Sequence, residues 1–173
     1  LKVKASGILR VTSGTAVIGN GTTITIDSGG TFIASGTAEV KSSIPGTDRF
    51  NFNVNGTFNA NGLTLRSMET AGLNLLNGNA IQQLRDVKFY NVKAVNGAAH
   101  LSVTGTALAI DCPGCFFDAG PAAPPNGPFN VKATDTDGGN NVFMRFEDRG
   151  DATSGAGADE AYDSDDDAND NGI

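Results

Sequence analysis

The sequence predicts an all-β fold, a parallel β-helix or β-solenoid of roughly six coils with an extended acidic C-terminal tail. Three features of the 173-residue chain lead to this prediction. A short phrase repeats at a fixed period, glycines separate short β-type segments at regular intervals, and charged residues make up only 18% of the chain. The polar surface must therefore consist largely of Ser, Thr and Asn, which suits an extracellular β-protein better than a cytosolic α/β enzyme.

The repeat is the strongest of these features. Residues 30–36 read GTFIASG and residues 56–62 read GTFNANG, so five of seven positions are identical at a period of 26 residues. A unit of this length is one coil of a stack, because a single coil has nothing against which to bury its apolar side. The period favours a solenoid, and a Gly-rich β-sandwich is the alternative fold.

Short strands separated by glycine fill the first 66 residues. Gly14, Gly21, Gly29 and Gly36 lie seven or eight residues apart, so three strands would make a coil of 22–26 residues. Within residues 22–26, isoleucine and threonine alternate, which places them on opposite faces of a strand. The strand candidates are residues 8–11, 15–18, 22–26, 31–34, 37–41, 50–54 and 63–66.

The asparagines of residues 51–55 also alternate with apolar residues. One interpretation is a polar outer face, and the other is an asparagine ladder whose amides bond along the coil axis. The alternation by itself favours the outer face.

Longer coils are predicted in the middle of the chain. Phe89, Phe117 and Phe146 are 28 and 29 residues apart, and each precedes an Asn or Asp within two residues. We expect one core aromatic per coil, with the polar residue beginning the turn.

Only residues 73–84 could be helical, and their asparagines and glycine oppose a helix. The proline-rich residues 119–129 are predicted to form a loop before a final strand pair at 130–133 and 142–147.

Residues 84–91 read LRDVKFYN, residues 101–103 read LSV and residues 115–118 read CFFD. This pattern of apolar, x, Phe, x, Asn once per turn resembles the coils of right-handed parallel β-helix proteins of the pectin-lyase type. The resemblance covers residues 1–148 loosely. It implies a fold and says little about chemistry.

The charge divides the chain into two parts, a β-solenoid domain at residues 1–149 and an acidic Asp/Asn-rich tail at residues 150–173. All 12 Lys and Arg residues lie before residue 151, whereas eight of the 19 acidic residues lie in residues 151–173. The solenoid is therefore close to neutral. Without a basic patch, nucleic acid is not an expected partner, and without a long apolar run, no transmembrane segment is expected.

The tail carries the best candidate metal site. Its sequence from residue 163, DSDDDANDNGI, resembles thrombospondin type 3 calcium repeats, in which oxygen ligands alternate along the chain before a glycine. The resemblance implies calcium bound by Asp163, Asp165, Asp167, Asn169 and Asn171 together with a backbone carbonyl. The motif stops before the later ligands of a complete repeat, so we expect binding mainly in a longer parent protein. A solvated acidic tail is the alternative.

Cys112 and Cys115 are the only cysteines, and they flank Pro113 and Gly114. Zinc would need two more ligands, and His100 is the only histidine available. Phe116 stands where haem attachment would require a histidine. A disulfide and a pair of buried thiols both remain open, and an extracellular setting favours the disulfide.

No motif of a polysaccharide-active enzyme is present, and no catalytic residue is predicted. We predict a non-catalytic structural or adhesive module of a secreted or cell-surface protein, and a filament subunit is one form of it. Its partners would be neighbouring copies or flanking domains, packed end to end or laterally, with glycans as further candidates. The alternative is a carbohydrate-binding or polysaccharide-cleaving β-helix, whose candidate residues would be Asp111, Asp118, Asp135, Asp137, Arg85, Arg145 and Arg149.

Overall fold

The computed structural model describes residues 1–106, 109–118, 129–136, 143–145 and 163–164. In this part of the chain the fold is a parallel β-solenoid of about five turns with no α-helix, which confirms the predicted fold class. Among these residues no helix is long and apolar enough to span a bilayer. In the same ranges the one helical element is a 3-10 turn, Gly78–Ala80.

The described residues contain fifteen strands. In chain order they are β1 (Lys2–Val3), β2 (Ile8–Val11), β3 (Gly14–Ile18), β4 (Thr23–Ile26), β5 (Thr31–Ser42), β6 (Phe50–Val54), β7 (Thr57–Arg66), β8 (Met68–Leu75), β9 (Ile81–Tyr90), β10 (Ala99–Gly105), β11 (Ala109–Asp111), β12 (Phe116–Phe117), β13 (Phe129–Asp135), β14 (Phe143–Arg145) and β15 (Asp163–Ser164).

Each coil gives one strand to a first sheet and then continues into a second. The first sheet has the order β1-β4-β6-β8-β10-β13-β15, and the second has the order β12-β9-β7-β5-β2, with β3 also paired to β5. A third, two-stranded sheet joins β11 to β14. All neighbours are parallel, because the chain returns to the same side of the solenoid once per coil.

The 26-residue repeat is the spacing between two stacked coils. In the β5–β7 pair, Thr31 lies beside Thr57, Phe32 beside Phe58 and Ala34 beside Ala60. Identical residues are therefore hydrogen-bonded neighbours rather than distant copies, as the sequence predicted. The register places both phenylalanine rings in the core, stacked with their centroids 5.3 Å apart.

A row of left-handed residues bends the second sheet. Gly36, Gly62 and Asp86 have φ values of 71°, 81° and 49° in successive coils. β2 and β3 pair with β5 on either side of a register shift between Ser35 and Ala38. The bend divides the second sheet into a second and a third face, so each coil has three sides, with the first sheet as the first face.

The core consists of apolar columns that run along the axis. One column on the first face follows the pairing of Ile24, Phe52, Leu73, Leu101 and Val131, and each of these residues is at most 2% exposed. Burying a side chain of this size stabilises the fold by roughly 1.5–3 kcal/mol. The columns make each coil depend on its neighbours.

The expected core aromatic of the middle coils is present. Phe89 and Phe117 stack with centroids 5.0 Å apart and rings 6° from parallel, and both are buried. Asn91, which follows Phe89, has a φ of 53° and turns the chain. Phe146 lies outside the described residues.

A side-chain hydrogen bond at Asn53 links neighbouring coils on the outer surface. Asn53 points outward, as the alternation predicted, and its side-chain carbonyl accepts a hydrogen bond of 3.0 Å from the amide of Asn74 in the next coil. One step of an asparagine ladder therefore exists on a polar outer face. The two interpretations were not exclusive.

The strand boundaries differ from the sequence-based ones most clearly in three places. The candidates at 31–34 and 37–41 form one strand, β5, because the left-handed Gly36 bends the ladder without ending it. β7 begins at Thr57, six residues before its candidate. Residues 73–84 contain the end of β8, the 3-10 turn and the start of β9 rather than an α-helix.

Gly62 provides a test of the stacking. A Cβ added there would lie 2.2 Å from the carbonyl oxygen of Gly36 in the neighbouring coil, whereas one at Gly14, which also has a positive φ, would meet nothing within 4 Å. We expect Gly62→Ala to lower the free energy of unfolding by more than about 3 kcal/mol. Gly14→Ala should cost only the left-handed strain, about 1–2 kcal/mol. Urea unfolding followed by circular dichroism measures both, and equal losses would contradict the close contact between coils.

Candidate functional site

The bend between the second and third faces carries a groove of about 600 Å³. Gly36 and Gly62 have no side chains, so the surface is recessed where neighbouring coils bend. The bend residue of the next coil is Asp86, whose carboxylate stands beside this recess. The groove is lined by Gly36, Thr37, Asn61, Gly62, Thr64, Asp86 and Lys88.

A smaller groove of about 250 Å³ lies on the neighbouring second face. Its lining includes Arg85 and Asp111, two residues that the sequence analysis named for the polysaccharide-cleaving alternative. Asp118 is not among the residues that line either groove. Asp137 and Arg149 lie outside the described residues, as do the side chains of Asp135 and Arg145.

The third face carries a row of charged and aromatic side chains, which we call the aromatic–cation stripe: Glu39, Lys41, Arg66, Tyr90 and Phe116. The guanidinium carbon of Arg66 lies 4.0 Å from the centre of the Tyr90 ring. On the other side of Tyr90, the ring of Phe116 is 5.3 Å away. Arg66, Tyr90 and Phe116 therefore form one packed row across three successive coils, and Glu39 and Lys41 belong to a fourth.

Ion pairs continue the stripe toward the N-terminal coils. Glu39 accepts a hydrogen bond of 2.8 Å from Arg66 and lies 3.4 Å from the Lys41 amine. Partial burial opposes ionisation of Glu39, but hydrogen bonds from Arg66 and Thr15 and the charge of Lys41 outweigh it and lower its pKa. Glu39 is therefore charged at neutral pH.

Sequence reasoning assigned no functional role to Tyr90 and did not predict that Phe116 points outward. Two adjacent phenylalanines, Phe116 and Phe117, gave no apparent alternation, yet one points outward and the other is 1% exposed. The signal was present in the spacing, because Phe117 aligns with the core Phe89 and Phe116 must then align with the outward Lys88.

His100, the only histidine, is 2% exposed and packs edge-on against the stacked rings of Phe89 and Phe117, with ring centroids 6.4 and 6.1 Å away. Neither ring nitrogen has a hydrogen bond of good geometry. Burial lowers the pKa of His100 to about 4, although the backbone of Asp118 is close enough to oppose this shift. The ring is neutral at pH 7 and is withdrawn from any external substrate.

Cys112 and Cys115 are joined by a disulfide in the structure, and both are fully buried. Their Cα atoms are 5.6 Å apart, within the usual range for this bond. The turn that they close sits on the bend of the previous coil, where the Asp86 N–H donates to the Pro113 carbonyl at 2.9 Å. The disulfide thus fixes a coil corner beside both grooves.

Most of the predicted calcium ligands lie outside the described residues. These are Asp165, Asp167, Asn169 and Asn171. The backbone of Asp163 is described, and it forms β15 beside Val131 of β13. In the described ranges no three His, Cys, Asp or Glu residues are grouped closely enough to hold a metal ion.

The first coil exposes apolar side chains at the N-terminal end of the stack. Leu1, Ile8 and Val17 are 59%, 60% and 58% exposed. Leu9 and Val11 pack only partly against the core, whereas their partners in the second coil are almost fully buried. Among the described residues, the strands of this first coil are paired on one side only.

No protein-family model, no curated protein and no solved structure matches the chain. The β-solenoid architecture is what the resemblance to pectin-lyase-type proteins implied at the level of fold. The finer resemblances, to that family and to thrombospondin type 3 repeats, have no matching family model in support.

Burial of His100 predicts a pH-dependent stability. The folded pKa of about 4 lies below the ordinary value of 6.5, so the unfolded chain binds the proton first as the pH falls. The stabilisation is fully present above pH 6.5 and is lost as the pH falls toward 4, and the loss reaches about 2–3 kcal/mol at pH 4.5. His100→Leu should remove this part of the acid sensitivity.

Urea unfolding at pH 7 and pH 4.5 measures the effect as the difference between wild type and variant. Ser42→Ala is the matched control, because Ser42 is buried and polar but does not titrate. Parallel pH profiles of wild type and His100→Leu would show that His100 does not titrate between those limits.

Proposed function

We propose that this chain is a non-catalytic structural or adhesive module that associates end to end through its first coil. The observation that carries the proposal is the contrast between the half-exposed Leu9 and Val11 and their buried partners one coil later. Another coil at this edge would bury the same side chains and extend the ladder. A neighbouring copy or a flanking domain could supply it.

The backbone of the first coil is oriented for such an addition. The Thr31 N–H donates to the Gly7 carbonyl at 2.9 Å. Because alternate residues of a parallel strand bond to opposite sides, Ile8 and Arg10 direct their backbone groups away from the second coil. The charged side chains of Lys2 and Arg10 oppose unspecific strand pairing at this edge. Lys2 pairs with Asp27 at 3.2 Å.

A secreted or cell-surface location belongs to the same proposal. The low charge and the disulfide suit an oxidising environment. A catalytic role has less support, because the only histidine is buried and neutral. Carbohydrate binding without cleavage is the second candidate, and the half-buried, outward-facing aromatic pair Tyr90 and Phe116 favours it.

Assembly through the first coil can be blocked at Arg10. Proline there removes a backbone donor that points away from the fold, and edge strands tolerate proline. We expect electron microscopy of the wild type to show rods of stacked particles, and Arg10→Pro to show single particles at the same concentration. Arg10→Ala, which keeps the N–H, should assemble like the wild type. Equal assembly of Arg10→Pro and Arg10→Ala would place the contact elsewhere.

Calcium binding by the tail is the remaining part of the proposal, supported by the alternating carboxylates of residues 163–171. Asp165→Asn combined with Asp167→Asn should weaken calcium binding at least about tenfold, because the ligand charge falls. Asp151→Asn combined with Asp159→Asn is the matched control for lost charge. Calorimetric titration measures the calcium affinity of the wild type and of both variants. Equal affinities would show that the tail is a solvated acidic segment rather than a calcium site.

A further inference from the structure

We infer that the groove at the bend and the adjoining aromatic pair, Tyr90 and Phe116, form one binding site for a neutral oligosaccharide. The inference rests on the adhesive form of the proposed function and assigns it a surface and a ligand class. The groove has room for a sugar unit, at about 600 Å³, and the side chains that line it are those of Thr, Asn, Asp and Lys.

The strand register joins the groove to the aromatic pair. Lys88 lines the groove, and its partner in the next coil is Phe116. Adjacent strands lie about 4.8 Å apart, and Tyr90, two residues along from Lys88 on the same face, is about 7 Å from it. A chain of sugars lying across the third face would therefore contact the groove and the aromatic rings together.

The polar groups of the groove match sugar hydroxyls. Asn61 supplies both a donor and an acceptor, Thr37 and Thr64 supply hydroxyls, and Asp86 and Lys88 supply one acceptor and one donor of opposite charge. Asp86 is held by an ion pair with Arg85 at 3.4 Å, and sugar hydroxyls, which both donate and accept, suit a surface that offers donors and acceptors side by side. Few polar groups converging on a concave surface are typical of ligand sites.

The aromatic pair supplies the apolar part of the site. Sugars expose C–H groups beside their hydroxyls, and aromatic rings at partly wet surfaces offer an apolar body with a polar tip. Tyr90 is held between Arg66, at 4.0 Å, and Phe116, at 5.3 Å. A side chain fixed in this way loses little conformational entropy on binding.

Titration of the whole chain with neutral hexasaccharides of glucose, xylose, mannose and N-acetylglucosamine tests the inference, with hexagalacturonate as the charged comparison. Tyr90 and Tyr162 are the only tyrosines and tryptophan is absent, so a Tyr162→Phe background leaves Tyr90 as the fluorescent reporter. We expect saturable binding of at least one neutral hexasaccharide with a Kd below about 1 mM.

Calorimetry then locates the site. Lys88→Met and Phe116→Thr should each weaken binding by about tenfold, while Lys132→Met, an exposed lysine on the first face, should leave it unchanged. Thermal unfolding confirms that each variant folds. The inference is overturned if no neutral sugar binds, if only hexagalacturonate binds, or if both site variants bind like wild type. Rods without sugar binding would refute this inference alone and leave end-to-end assembly standing.

Discussion

The parallel hydrogen-bond ladder between successive coils is the constraint on which the rest of the molecule depends. It fixes the register, and the register decides which side chains enter the core. A slip of one residue between β5 and β7 would turn Phe58 outward and bring Asn59 inward. The close approach of Gly62 to the Gly36 carbonyl is part of the same constraint, because the bends must stack as closely as the strands.

The same ladder explains why inward and outward positions differ in what they contribute. Inward positions form continuous apolar columns, so they contribute stability and little else. Outward positions are released from packing and can carry unlike residues in register, as in the row of Arg66, Tyr90 and Phe116. The glycine bends leave a recess beside this row. A recognition surface on a solenoid therefore arises where the bend and an outward row meet.

The sequence revealed the parts of the fold that repeat. The 26-residue phrase predicted stacked coils, and the spacing of Phe89 and Phe117 predicted a core aromatic per coil. It did not reveal that Asp86 takes the place of the bend glycines, because aspartate is common in many kinds of turn. The groove was also hidden, since it joins residues from three coils whose alignment depends on the register shift after Ser35. The predicted calcium ligands remain predictions.

Hydrogen exchange measured at low and high protein concentration tests most directly whether the first coil is an unfinished end of the ladder. In dilute solution we expect amides in residues 1–18 to exchange much faster than those in residues 50–66, whose coil has neighbours on both sides. At high concentration residues 1–18 should gain protection while residues 50–66 stay unchanged. Slow exchange of residues 1–18 in dilute solution, with no change at high concentration, would contradict association through the first coil.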